Sequence, residues 1–109
     1  MKFVLAVICI VSVLIGASLL FAAGDAAAGK EIFSKKCASC HGAAGEGKES
    51  VAKTLKVTIR PLGSKEVQAK SDEELKKNFL EGTGKMKGVT GIDAKSADDV
   101  VAYVRTLKK

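Results

Sequence analysis

A chain of 109 residues with a formal net charge of +6 has room for one small domain and not two. Four phenylalanines, one tyrosine and no tryptophan are too few aromatics to build a thick core unaided. The basic balance admits nucleic-acid binding, but no nucleic-acid motif is present and the chain opens like an exported protein, which sets that class aside.

Residues 1–23 differ from the rest. Lys2 is followed by an uncharged run from Phe3 to Gly24, rich in Val, Leu, Ile and Ala, and the first acid is Asp25. A basic start, an apolar stretch and small residues at its end make an export signal, with Ala22-Ala23-Gly24 suited to cleavage. The run is also long enough to span a bilayer, so a retained anchor is the competing reading. Cys9 sits in mid-run after Ile8, unlike a lipoprotein cysteine, and reads as an apolar filler. The expected division is a signal over 1–23 and one domain over 24–109, periplasmic or otherwise exported, or else anchored and facing the periplasm.

The first helix is expected over about Ala26 to Ala38, with Asp25 as its N-cap. Ile32 and Phe33 face inward, while Lys30, Lys35 and Lys36 cover the outside. Gly29 within it costs helix stability and marks a close approach by another element.

Cys37-Ala38-Ser39-Cys40-His41 follows, and it carries the most chemistry. Two thiols three positions apart can each form a thioether to one vinyl group of a haem, and the histidine after the second can ligate the iron. His41 is the only histidine, and Met86 the only methionine besides Met1. A low-spin iron needs two axial ligands, so the site reads as one covalent haem c held by Cys37 and Cys40 and ligated by His41 and Met86. A thioredoxin-like dithiol would need a βαβ setting, and the strand pattern is missing. A structural zinc site needs four ligands, and residues 24–109 offer three obvious ones.

Gly42 to Gly47 is a loop by composition. Residues 48–70 read as a loop wrapping the cofactor, with a helical turn near Lys65 to Gln68; the loose alternation of Val51, Leu55, Val57 and Ile59 would permit a short strand. Ser71-Asp72-Glu73-Glu74 is a capping box, opening a helix to about Glu81 that buries Leu75, Phe79 and Leu80 and ends at Gly82. Gly82 to Gly88 is expected as an open loop presenting Met86; its glycines and lysines make a poor core segment, which weighs against a merely packed methionine. A last helix is expected from about Ala97 to Leu107, capped by Ser96 with Asp99, its stripe formed by Val100, Val101, Tyr103, Val104 and Leu107.

That order of helix, CxxCH, glycine loop, helix, glycine-flanked methionine and helix resembles the class I, monohaem c-type cytochrome family, over Asp25 to Lys109. The sharpest parts are Cys37-Ala-Ser-Cys40-His41-Gly42 and Gly84-Lys85-Met86. The resemblance implies an all-α fold of three to four helices around one haem. It implies that Gly29 and Phe33 meet Val100 and Tyr103 where the first and last helices cross. It also makes Pro61 the candidate carbonyl for the His41 imidazole. Tyr103, read by itself, is a candidate donor to a haem propionate. Lys87 stands where many members carry proline, which would leave the Met86 loop less stiff and let Lys85 or Lys87 replace the sulfur at alkaline pH.

The function implied is one-electron carriage between redox partners, with no enzymatic step. Lys35, Lys36, Lys85 and Lys87 either solubilise the surface or steer an acidic partner. A monomer suits a shuttle that docks and leaves. Two alternatives stay open: a haem subunit tethered to a membrane complex by residues 3–23, and a five-coordinate haem for ligand binding or catalysis, which requires that Met86 not bind.

Overall fold

The computed structural model describes residues 24–109. The expected signal segment and Cys9 lie outside the described residues. Helix α1 spans Ala26–Lys36. The Asp25 carboxylate accepts from the N–H groups of Ala27 at 2.9 Å and Ala28 at 3.3 Å, so two of the free donors at the helix start are satisfied locally. Lys35 and Lys36 close the last turn, where positive charge meets the negative end of the helix dipole. The helix stops two residues before the expected Ala38. Cys37 ends it, and a separate single turn, α2, runs Ala38–His41.

Helix α3, Glu49–Leu55, corrects the expectation of a loop. Val51 and Leu55 stand four residues apart, which is one face of a helix, and Glu49 pairs with Lys53 at 3.3 Å across the same spacing. Neither end carries a conspicuous stop: Lys48 caps without a side-chain bond, and Lys56 turns the chain with φ at 55°. The single turn α4, Lys65–Gln68, falls where expected, with the Ser64 hydroxyl accepting from Val67 N–H at 3.4 Å.

Helix α5 runs Asp72–Glu81, with the Ser71 hydroxyl accepting from Glu74 N–H at 3.1 Å and three acids in its first turn. It buries Leu75 and Phe79, whereas Leu80 is exposed, a correction to the expected stripe. The expected open methionine loop is instead a tight hairpin. Strands β1, Gly82–Thr83, and β2, Met86–Lys87, pair antiparallel, Gly82 with Lys87 and Thr83 with Met86. Gly84 takes a positive φ of 56° at the first turn position, the place a two-residue hairpin of this kind reserves for glycine.

Helix α6, Ala94–Thr106, starts three residues before the expected Ala97. Asp93 is the cap, accepting from Ser96 N–H at 2.7 Å, so the expected capping by Ser96 and Asp99 is corrected by one turn. Asp99 lies inside the helix and is buried.

The pairing of α1 with α6 is the most extensive contact between elements, and α5 joins α6 as the second layer. Two clusters make the core. Phe33, Cys37 and Tyr103 form one; Leu75, Phe79, Ala97, Val100, Val101 and Val104 form the other, and Leu62 packs against both. Leu107, expected on the α6 stripe, ends the helix and packs half-buried on the first cluster. The fold is all-α apart from the hairpin, with six helical segments among the described residues. No helix among them is long and apolar enough to cross a membrane.

Candidate functional site

The Cys–His turn is held by the packing of α1. Phe33 is 1 % exposed and meets Tyr103 edge-on, ring centroids 5.1 Å apart. Cys37, one turn after Phe33, is pulled into that cluster and buried, while Cys40 and His41 are half-buried on the turn beyond. Gly42 then breaks the helix with φ at 82°, a conformation a β-carbon disfavours. The chain doubles back, and Gly47 N–H donates to His41 O at 2.6 Å and Lys48 N–H to Cys40 O at 2.9 Å. Both cysteines are unpaired thiols.

His41 faces Phe33, ring centroids 6.5 Å apart at 44°. Its Nδ1 is buried without a hydrogen-bond partner, and burial lowers the imidazole pKa, so the ring is neutral near pH 7. The Pro61 carbonyl, the partner implied by the family resemblance, accepts from Ser64 N–H at 3.1 Å instead. Burial also raises the Cys37 thiol pKa, the neighbouring Lys36 ammonium pulling partly back. Among the described residues no three His, Cys, Asp or Glu side chains converge as for a metal ion.

Met86 stands on the second cluster, half-buried against it, on the strand that follows the Gly84 turn. Leu62 is the residue that touches both the cysteine cluster and the one bearing Met86. Leu62 follows the only proline, Pro61, and no pattern in the sequence marks it as the residue between the two clusters. Tyr103 donates to Ala43 O at 3.2 Å, so its hydroxyl pins the loop after the Cys–His turn. A surface groove of about 620 Å³ lies between α5 and α6 and is lined by none of the four expected ligand residues.

The family model for cytochrome c matches residues 26–108, from the start of α1 to the penultimate residue. The chain belongs to the cytochrome c family. It is 35 % identical over 91 residues to cytochrome c-554(547) of Halothiobacillus neapolitanus, covering 79 % of this chain and all of that one. Among solved structures it is similar to the KustC0563 c-type cytochrome, with a TM-score of 0.64 and 27 % identity over 74 % of this chain and 98 % of that one. The class I assignment and its small helical fold therefore stand. Membership brings covalently bound haem c and electron transfer to redox partners, as a carrier and not an enzyme.

The donor set of this cytochrome fits that group. Two unpaired thiols three residues apart suit two thioethers, and a neutral, half-buried imidazole offers a nitrogen lone pair beside them.

Proposed function

We propose that this chain is an exported monohaem carrier in which Cys37 and Cys40 form the thioethers and His41 and Met86 are the axial ligands. The observation that carries the reading is the placement of the sole histidine and of Met86. His41 is half-buried and faces Phe33 of one core cluster, Met86 is half-buried against the other, and Leu62 packs on both. Haem bound there supplies a one-electron Fe(III)/Fe(II) couple. The remaining work belongs to the protein. A neutral imidazole and a neutral thioether favour the reduced state relative to two histidines. Apolar surroundings from Phe33, Phe79 and the α6 valines disfavour extra positive charge in the same direction. With His41 and Met86 both given to the iron, no ligand place would be left for a substrate, and the chemistry the haem would supply is outer-sphere electron transfer.

The exposed Lys35 and Lys36 at the end of α1 and Lys85 and Lys87 on the hairpin support docking to a partner with an acidic surface. Lys36 also reaches Thr90 O at 3.1 Å, which brings the end of α1 beside the exit of the hairpin. Residues 1–23 are read as the cleaved export signal and the protein as a periplasmic monomer; intact mass of the exported protein separates cleavage from a retained anchor.

The test is a reduced-minus-oxidised visible spectrum of the exported protein, repeated on Met86→Ala. A narrow low-spin α-band in the wild type, with high-spin character in the variant, supports His41–Met86 ligation. A wild type that is already high-spin and binds carbon monoxide when reduced moves the function to a five-coordinate haem.

A further inference from the structure

The hairpin that bears Met86 is fixed firmly at its base. Val89 N–H donates to Phe79 O at 2.7 Å, and a β-carbon on Gly88 would stand 2.6 Å from Leu80 O, so the exit strand lies against the end of α5. At its tip Gly84 packs against nothing: a β-carbon there would meet no atom within 4 Å. One side chain of residues 82–88 makes a hydrogen bond among the described residues. Lys85 Nζ donates to Leu55 O at 2.7 Å, across 30 residues of sequence.

Leu55 is the last residue of α3, where a helix leaves carbonyls without internal partners and its dipole is negative. A lysine ammonium is the complementary group. The other end of α3 is tied to the Cys–His turn, through Gly47 N–H to His41 O and Lys48 N–H to Cys40 O. A continuous strap therefore runs from His41 through α3 to the residue next to Met86, joining the two segments expected to hold the iron.

We propose that Lys85 is a positioning residue that, through Leu55 O and α3, holds the Met86 hairpin closed and so governs how readily the methionine sulfur is displaced. This rests on the His41–Met86 reading above. Lys87, one residue beyond Met86, carries the same charge, is also exposed, and makes no such bond. It is the internal control for charge alone.

The experiment titrates the ferric holoprotein with imidazole and follows loss of the near-infrared sulfur–iron band, in the wild type and in Lys85→Ala, Lys85→Arg and Lys87→Ala. Lys85→Ala should bind imidazole roughly three- to tenfold more tightly, the range set by losing one charge-assisted hydrogen bond at the surface. Lys85→Arg, which keeps a charged donor, and Lys87→Ala should stay within about twofold of the wild type. If Lys85→Ala matches Lys87→Ala, the latch is overturned while the ligand reading stands. A wild-type ferric protein that lacks the band overturns the ligand reading and the latch with it.

Discussion

Gly29 and Asp99 touch backbone to backbone where α1 crosses α6: a β-carbon on Gly29 would collide with the Asp99 carbonyl. The same aspartate turns its side chain the other way along α1, and its Oδ1 accepts from Asp25 N–H at 2.8 Å. One residue of α6 thus sets both how close α1 comes and where it begins. Phe33 and Tyr103 pack one turn further along the same crossing, so the position of Cys37 follows from it.

Gly29→Ala should therefore be costly despite alanine's better helix propensity. The obstacle is main chain, which cannot rotate aside, and overpacking of this sort costs about 1–3 kcal/mol. For a domain of this size each kcal/mol lowers Tm by roughly 4–8 °C. Thermal unfolding of the haem-loaded variant checks it; a Tm equal to or above the wild type would contradict the contact.

Asp99 is 4 % exposed, and its two oxygens are engaged by Asp25 N–H and, at 3.3 Å, by Lys95 Nζ. Asp99→Asn keeps an oxygen acceptor for the Asp25 amide and should retain most of the stability. Asp99→Ala removes the acceptor of a partly buried hydrogen bond and should lose about 1 kcal/mol. Equal losses from the two variants in denaturant unfolding would show that charge, and not the acceptor, is what matters there.

Arg105 ties α6 to the entry of α5. Its guanidinium donates to Lys70 O at 2.7 Å, Gln68 O at 2.9 Å and the Asp72 carboxylate at 2.8 Å. The bonds leave in different directions from one planar group, so Arg105→Lys should recover little of what Arg105→Ala loses, roughly 1–2 kcal/mol after allowing for partial exposure. Hydrogen exchange should quicken over residues 68–74 in both variants. Exchange confined to the end of α6 would count against the clamp.

The α6 cap predicts an acid dependence. The Ser96 N–H that Asp93 accepts, together with the Ser96 side chain, holds its carboxyl below the ordinary 3.8. A carboxylate depressed by folding stabilises the native state above its unfolded pKa, and that contribution is lost as pH falls through the lower, folded value. The Tm advantage of the wild type over Asp93→Ala should be steady from neutral pH down to about 5 and narrow below about 4. A gap unchanged at low pH would place the effect elsewhere.

Interactions between near neighbours are legible in the chain. Asp25, Ser71 and Gly82 mark helix ends because a cap needs only the N–H groups two or three residues away, or a residue free to turn. The Cys37-to-His41 spacing announced a haem site, and the match to the cytochrome c family bears that out at the level of the cofactor. Local signals also misled: Ser96 looks as good a cap as Asp93, and nothing flanking 49–55 advertises α3. Which of the competing acids caps α6 and which is buried follows from packing between helices. Asp99 is drawn inside because its carboxylate meets an amide 74 residues away. Whereas the methionine hairpin follows from the local turn at Gly84, packing gave Lys85 the carbonyl of Leu55 and left His41 Nδ1 without the Pro61 carbonyl. Those choices depend on groups distant in sequence, which no local pattern of charge or hydropathy encodes.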